Sequence, residues 1–353
     1  MQPEFLASLG DGTLVAGGEE GGLTVLVGLD PEGEHIFEHV LDPELLGITG
    51  GFPHQGLAGL APRGAEDELL VSLSTGALSM ETSTGAINWV LDDEVVTTMG
   101  FGSGTVRIGG IATSPSGEIA AYGQSYDDLH GVHVMRIDPT SGTSLWHASR
   151  WGDGSDADWP ADIAVDDGPF GVLFGVSAHA GSNGCSSFAD LDRYDLDTGE
   201  AQPSIFSHGT CGGDDDYTRC VAILGDGRVM AVVAHSPNPP NGPRSTHVEH
   251  WTPAGELEAS NVVPGHYSYS CSAVANPDGG SFVLTRGGTT EGFSPSDPVT
   301  DLVLQVSANG DFSVLLDEGP DARADIGLRP SGALAVLRTT SLGNASVRQY
   351  CFD

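Results

Sequence analysis

The chain has 353 residues and a formal net charge of −36, because 49 aspartates and glutamates outnumber 13 cations, all of which are arginines. This charge repels nucleic-acid phosphates and anionic membrane surfaces, so we expect no nucleic-acid partner. The absence of lysine excludes Schiff-base chemistry and a P-loop lysine, and the longest apolar runs, such as 229–234, are too short to span a membrane.

A first type of glycine turn separates pairs of short apolar runs along the chain. In its pattern Asp or Ser directly precedes Gly, and the glycine permits the positive φ that a tight hairpin needs. The run after the turn is almost wholly apolar, as in 229–234, which is typical of a strand buried on both faces. The pattern recurs, with a degenerate copy near Glu66, at Gly12, Gly117, Gly168, Gly227, Gly279 and Gly332.

A second type of turn lies between successive copies of the first. The run before it alternates between apolar and polar residues, as in 133–138, which is typical of a strand with one face closer to water. These turns are centred on Gly33, Gly85, Gly142, Gly199, Gly255 and Gly310. Both series share a period of about 55 residues, which indicates one structural repeat.

Each period contains four predicted antiparallel strands and no helix-length segment, so we predict an all-β chain. Four strands in each such period are typical of a propeller blade. The number of first turns predicts a single domain over 1–353 that is a seven-bladed β-propeller of four-stranded antiparallel blades. The predicted blades cover approximately 4–45, 55–95, 107–150, 160–207, 218–263, 270–318 and 323–353.

The last predicted blade lacks its outer strand, because the chain ends after three strands at 325–328, 333–339 and 345–352. Either a strand upstream of Met1 completes it in a longer chain, or the blade has three strands. In a third interpretation, the chain is an assembly subunit whose incomplete blade accepts a strand from a neighbouring copy. Pairing of 5–9 onto 348–352 would refute the predicted phase of the strands.

The second turns have a recognisable form. Residues 138–146 follow the pattern D-x-x-[ST]-G-x-x-x-W, residues 81–89 are close to it, and residues 195–199 keep its first half. This pattern resembles the repeat of quinoprotein-like (PQQ-like) β-propellers, and first turns such as 225–234 resemble the delta-60-type repeat of secreted bacterial proteins. The resemblance implies a scaffold in which the Trp packs between adjacent blades. It argues against a quinone-dependent dehydrogenase, because the vicinal cysteine pair and the lysine of those enzymes are missing.

The predicted strand order places all the glycine turns on one face and the longer connections on the other. We call the second the long-loop face, and its loops are 123–131, 148–161, 178–188, 207–219, 234–246 and 286–299. Long loops on a rigid scaffold are where binding and catalysis usually occur. We therefore expect the functional site on the long-loop face.

Five cysteines predict an exported protein with two disulfides. We predict Cys185–Cys211 and Cys220–Cys271, with Cys351 free, and the main alternative is Cys211–Cys220. Disulfides persist in oxidising compartments, so we expect a bacterial protein that is secreted, periplasmic or on the cell surface. The start of the chain has neither a basic nor an apolar segment, so the signal segment is not present in this chain.

Acidic residues cluster on two of the long loops. Oxygen-rich loops of this kind can hold Ca²⁺, which is the one cofactor that we consider. The spacing is not that of an EF-hand, and we favour the alternative of solvated loops. The candidate ligands are Asp153, Asp156, Asp158, Asp214, Asp215 and Asp216.

Histidines and aromatic residues supply the other candidate site. His179 and His235 end equivalent strands of adjacent blades, where they could bind a transition metal or act as acid and base. The alternative is that they bond to backbone groups. Aromatic residues offer a rim on which a sugar or peptide can stack, or else they pack between blades: Trp151, Trp159, Tyr126, Tyr217 and Tyr267.

These features favour a non-catalytic binding module that meets a protein or glycan ligand at the long-loop face. The alternative is a propeller enzyme, namely a lyase, lactonase or glycosidase, with a metal or carboxylates at the mouth of the channel. A second alternative is the structural assembly subunit described above.

Overall fold

The structure is a computed structural model. It describes residues 2–42, 46, 56–64, 67–74, 76–91, 106–125, 131–150, 158–179, 187–208, 214–237, 243–276, 279–289, 299–318, 322–340 and 345–351. None of these residues forms a helix, so no helix that could cross a membrane is found among them.

The described strands form seven antiparallel sheets, and within each sheet the strands pair in chain order. Six sheets have four strands and the last has three, so the chain is the seven-bladed β-propeller that the repeats predict. The strands of the first three blades are β1 (Gln2–Ser8), β2 (Leu14–Glu20), β3 (Leu23–Leu29), β4 (His35–Leu41), β5 (Leu57–Arg63), β6 (Glu68–Leu73), β7 (Gly76–Glu81), β8 (Ile87–Leu91), β9 (Val106–Thr113), β10 (Ile119–Ser125), β11 (Val132–Ile137) and β12 (Ser144–Arg150).

The remaining four blades continue the same order. Their strands are β13 (Asp158–Val165), β14 (Val172–His179), β15 (Ser187–Tyr194), β16 (Ala201–His208), β17 (Asp214–Ile223), β18 (Val229–Pro237), β19 (Ser245–Trp251), β20 (Leu257–Val263), β21 (His266–Ala275), β22 (Ser281–Thr289), β23 (Thr300–Val306), β24 (Phe312–Glu318), β25 (Ala322–Leu328), β26 (Leu334–Thr340) and β27 (Ala345–Tyr350). In the described part of the chain β1 pairs with β2, and β27 pairs only with β26, which agrees with the predicted strand phase.

The glycine turns have the predicted backbone geometry with one exception. Gly12 and Gly33 have φ of 90°, which favours glycine. In the fourth blade the positive φ of 65° belongs to Gly171 and not to the predicted Gly168. This turn is longer than the other first turns, because the N–H of Asp166 donates to the carbonyl of Gly171 at 2.8 Å, whereas at Gly12 the N–H of Leu9 donates to the carbonyl of Thr13. Phe170 is buried within the longer turn.

The chain divides into two compact units. Unit 1 consists of Met1–Ser149 and Arg323–Asp353, and contains the first three blades and the last one. Its first and last blades meet through a buried apolar cluster, and the N–H of Leu6 donates to Asp325 Oδ2 at 2.8 Å. Between the second and third blades, Trp89 Nε1 donates to the carbonyl of Pro139 at 3.1 Å. The indole of Trp89 thus packs between adjacent blades, as the resemblance implies.

Unit 2 consists of Arg150–Ala322 and contains blades four, five and six. Short aliphatic residues on successive sheets fill the space between its blades. Asp162 Oδ2 on β13 accepts a hydrogen bond from the N–H of Val221 on β17 at 3.0 Å. The first strands of neighbouring blades are therefore held together at a fixed register.

The predicted disulfide Cys220–Cys271 is confirmed, and it links β17 to β21 with a Cα–Cα distance of 5.6 Å. Cys351 is free and exposed, as predicted. The other predicted pair, Cys185–Cys211, and its alternative with Cys220 involve residues outside the described ranges. The disulfide that is seen already occupies Cys220.

Candidate functional site

The first strand of each of the first six blades contains a β-bulge, and the three blades of unit 2 are among them. The extra residue is Ala161 in β13, Arg219 in β17 and Tyr269 in β21. A bulge leaves one residue outside the ladder and turns its side chain in a new direction, and bulges are common beside functional sites. Here three bulged residues come together, because they line one pocket.

This pocket has a volume of about 350 Å³, and we call it the inner-strand pocket. That volume is at the lower end of the range for small-molecule sites, which favours a small ligand over a protein surface. Its lining residues are Pro160, Ala161, Ser177, Tyr217, Thr218, Arg219, Tyr269, Ser270 and Cys271. The disulfide at Cys271 fixes one wall of the pocket to β17.

Arg219 is the charged group of the inner-strand pocket. Its guanidinium carbon lies 4.6 Å from the centre of the Tyr217 ring, a cation–π distance. Its Nε atom is buried and has no hydrogen-bond partner among the described residues. Burial lowers the pKa of the guanidinium, and the Tyr267 side chain opposes this shift. The cation is thus partly buried, without a carboxylate beside it in the described part of the chain.

Other arginines of this acidic protein are placed differently. Arg63 pairs with Glu68 at 2.6 Å, and Arg136 pairs with Glu118 at 2.6 Å. Arg228, at the first turn of blade five, contacts both Asp226 and Glu258. Arg219, whose recorded neighbours are tyrosines, therefore differs from these three carboxylate-paired arginines.

The aromatic wall of the pocket is tightly packed. The rings of Tyr267 and Tyr269 meet edge to face with centroids 5.6 Å apart, and Arg244 lies over Tyr267 at 5.1 Å. A Cβ atom at Gly288 would lie 2.6 Å from the Tyr269 hydroxyl, so only glycine leaves room for this ring. The wall is preformed, and a ligand would not have to order it.

A second group of polar side chains lies between blades four and five. We call His208, Asp216, His235, His247 and Glu249 the blade-5 cluster. Asp216 lies opposite His235 in the β17–β18 ladder, and Asp216 Oδ1 is 2.7 Å from His235 Nδ1. His247 and Glu249 lie on the same face of β19, because they are two residues apart.

Glu249 is the buried centre of the blade-5 cluster. Its Oε2 atom accepts hydrogen bonds from His208 Nε2 at 3.1 Å and from Trp251 Nε1 at 3.2 Å. Burial, the largest single influence, raises the pKa of Glu249, but the hydrogen bonds from His208 and Trp251 and the charges of His208 and His235 together outweigh it, so the pKa is lowered. The hydrogen bond to Glu249 raises the pKa of His208, whereas burial lowers that of His247. Glu249 is therefore an anion and His247 a neutral imidazole near neutral pH.

The residues predicted from the sequence fall into three groups. Tyr126, Trp151, Asp153 and Asp156 lie outside the described residues. For a second group the structure describes the backbone of the strand and not the side chain. These residues are Asp158, Trp159, His179, Asp214 and Asp215. Asp216 and His235 are in direct contact, although the sequence analysis placed them in separate candidate sites.

Four residues of these two sites were missed by the sequence analysis. Arg219 and Tyr269 owe their direction to bulges, which the repeat does not announce. His247, Glu249 and Trp251 follow one another at a spacing of two residues, and this period could have placed their side chains on one face of a strand.

Comparison with known proteins identifies the fold. No protein-family model matches the chain, and no curated protein matches its sequence. Among solved structures, the chain is similar to the β-propeller domain of Cps50 (Swd1) from Myceliophteria thermophila, with TM-score 0.55 and 12% identity over 99% of this chain and 97% of that one. It is similar to a protein from Lactobacillus plantarum, with TM-score 0.55 and 14% identity over 90% and 86%.

A third similar structure is an ACO/RPE65 chimera, with TM-score 0.52 and 12% identity over 93% of this chain and 80% of that one. Sequence identities this low carry no information about function. These likenesses span nearly the whole chain, and what they show is its fold, a β-propeller.

Proposed function

We propose that this propeller is an exported, non-catalytic binding module, and that it binds a sugar bearing a single carboxylate in the inner-strand pocket. The observation that carries the proposal is Arg219, a partly buried cation in a pocket wall whose Nε atom has no described hydrogen-bond partner and which has no described carboxylate beside it. An anionic ligand would offset the unfavourable desolvation of this guanidinium. Guanidinium groups bind carboxylates in a bidentate manner, which fixes the orientation of the ligand.

The charge of the whole protein limits the ligand to few charges. A net charge of −36 repels a polyanion strongly. For a single carboxylate in contact with Arg219, the attraction between these two charges exceeds the repulsion from the rest of the protein. At physiological ionic strength the repulsion beyond roughly 8 Å is screened. A monoanionic ligand therefore fits this protein better than an acidic polymer that is charged at every unit.

The aromatic residues and the pocket volume favour a sugar ring as the rest of the ligand. Tyr217 and Tyr269 contribute flat apolar surface with hydroxyl groups at its edge, and such rings bury area at low entropic cost. About 350 Å³ holds one or two sugar rings and leaves no space for a protein surface. The ligand is therefore a small acidic saccharide or the end of a glycan chain.

The hydroxyl groups of the lining support the proposed non-catalytic role. Ser177 Oγ donates to the carbonyl of Thr218 at 3.4 Å, and Thr218 Oγ1 donates to the carbonyl of Asp190 at 3.1 Å. Neither hydroxyl is paired with a base among the described residues, and the described lining contains no histidine or carboxylate. The disulfide Cys220–Cys271 supports an oxidising compartment, and hence a secreted, periplasmic or cell-surface location.

Saturation-transfer NMR with two matched sugars tests this proposal. Methyl β-glucuronide and methyl β-glucoside differ only in the carboxylate, so we expect the glucuronide to bind roughly tenfold more tightly. Arg219→Gln should remove that preference, whereas Arg228→Gln, at a surface turn of the same blade, should keep it. Equal binding of the two sugars, or a preference that survives Arg219→Gln, would contradict the proposal.

A further inference from the structure

We infer that the blade-5 cluster is a binding site for a divalent transition metal, with His235, His247 and Glu249 as the ligands. One ligand atom from each of these residues lies within 4.8 Å of the other two. Two imidazoles and one carboxylate form a common ligand set for Zn²⁺ and for related first-row cations. The inference is independent of the proposed function, because the inner-strand pocket contains none of the three residues.

The spacing of the ligand atoms suits a small cation. Tetrahedral Zn²⁺ with bonds of about 2.0–2.1 Å places its ligand atoms about 3.3 Å apart. Closing the cluster from at most 4.8 Å requires side-chain shifts of about 1.5 Å or less. The rings of His235 and His247 already meet edge to face with centroids 4.3 Å apart. Rotation about side-chain bonds can bring the nitrogens together without moving β18 or β19.

A carboxylate behind His235 prepares it as a ligand. With Asp216 Oδ1 at 2.7 Å, the Nδ1 atom of His235 carries the proton and the Nε2 lone pair remains for a metal. This carboxylate–histidine arrangement recurs behind metal-binding imidazoles because it fixes the tautomer and the ring orientation. Asp216 is buried and lies opposite His235 in the β17–β18 ladder, so the backbone holds the pair.

His247 and Glu249 can bind a cation without leaving a buried polar group unpaired. Serine hydroxyls lie beside both ring nitrogens of His247: Ser245 Oγ is 3.0 Å from Nε2 and Ser260 Oγ is 3.1 Å from Nδ1. A hydroxyl can turn from donor to acceptor, so either nitrogen can be released. Glu249 Oε1 accepts one long bond of 3.3 Å, from Ser260, and keeps acceptor capacity for a metal.

The chemistry of the cluster selects the class of metal. Ca²⁺ takes six to eight oxygen ligands, whereas this site offers two nitrogens and few oxygens. The imidazoles of His235 and His247 are partly exposed, so water can occupy a further position on the cation. We therefore expect Zn²⁺ or Co²⁺ to bind in preference to Ca²⁺.

Calorimetric titration of the chelator-treated full chain with Zn²⁺, with its disulfide intact, tests the site. We expect one Zn²⁺ to bind per chain, and to remain bound in the presence of excess Ca²⁺. Co²⁺ in place of Zn²⁺ should give the visible absorption of a four-coordinate centre. No binding of Zn²⁺, or a Co²⁺ spectrum typical of the hydrated ion alone, would overturn the inference. This spectrum is measured on the unaltered chain and does not depend on how the variants fold.

Variants then assign the ligands. His247→Gln and Glu249→Gln should each weaken Zn²⁺ binding by at least tenfold. Asp216→Asn should weaken it by roughly 10- to 100-fold while one Zn²⁺ per chain still binds, because it acts through His235. His35→Gln, at an exposed histidine of β4, should change nothing. Zn²⁺ binding that survives both His247→Gln and Glu249→Gln would place the metal elsewhere and overturn the assignment.

Discussion

The guanidinium carbon of Arg219 lies 4.6 Å from the centre of the Tyr217 ring, so a cation and an aromatic face meet in the wall of a pocket. Arg219 reaches this position because it is the extra residue of a β-bulge in β17. The bulge places the charge where the described chain offers no carboxylate to neutralise it. The chemistry of the pocket thus follows from one irregularity in an otherwise regular strand.

Removing the disulfide should destabilise unit 2. Cys220 and Cys271 are 51 residues apart, and closing a loop of this length in the unfolded chain corresponds to about 4 kcal/mol. We expect Cys220→Ser with Cys271→Ser to lower the free energy of unfolding by about 2–4 kcal/mol in guanidinium titrations. Cys351→Ser removes an exposed free thiol and serves as the control, with no expected change. A loss below about 1 kcal/mol in the double variant would contradict the predicted effect of the cross-link.

The packing of Trp89 against the next blade can be tested at Gly142. An added Cβ at Gly142 would lie 2.6 Å from the indole, at a φ of +70° that already disfavours other residues. We expect Gly142→Ala to cost about 2–4 kcal/mol, from backbone strain and overpacking together. Gly22 has a φ of +85° and open space around its Cβ position, so Gly22→Ala measures the backbone strain alone. Equal losses for the two variants would show that the indole does not pack closely there.

His266 should make the protein less stable in mild acid. Burial lowers the pKa of His266 from 6.5 to about 4, and Asp317 opposes this shift weakly. Between these two values the unfolded chain takes up a proton that the folded chain does not. The contribution of His266 to the free energy of unfolding is therefore fully present above pH 6.5 and is lost as the pH falls towards 4. The loss for this group is roughly 3 kcal/mol.

Unfolding titrations across this pH range check the prediction for His266. His266→Gln can still bond to Thr285, which lies 3.2 Å from His266 Nε2 in the native protein. The variant should lose stability less steeply than the wild type between pH 6.5 and 4. Other histidines, such as the half-buried His147, whose pKa is also about 4, will leave part of the slope in both proteins. Parallel pH profiles would exclude His266 as a source of the acid sensitivity.

The sequence was sufficient to predict the architecture because turn chemistry is local. Gly12 and Gly33 must adopt positive φ wherever a tight hairpin recurs, so their period reveals the blades. The disulfide between Cys220 and Cys271 was predictable for a related reason, since near-equivalent positions in adjacent blades are neighbours in space. The turn at Gly171 was misplaced because an insertion lengthens it without removing the Gly168 signal.

The sites were less predictable because they depend on contacts between strands. Asp216 and His235 are 19 residues apart and meet only through the register of β17 on β18. The bulge that redirects Arg219 leaves no mark in a single sequence, since the ladder shift and not the residue type defines it. Periodicity thus indicates which residues share a strand face, whereas pairing register decides which side chains meet.

A crystal structure of the protein soaked with methyl β-glucuronide tests the acidic-sugar site most directly. We expect the sugar carboxylate to lie within hydrogen-bond distance of the Arg219 guanidinium, with the ring against Tyr217 or Tyr269. An empty pocket at saturating sugar, or a sugar bound with its carboxylate away from Arg219, would contradict the proposed function.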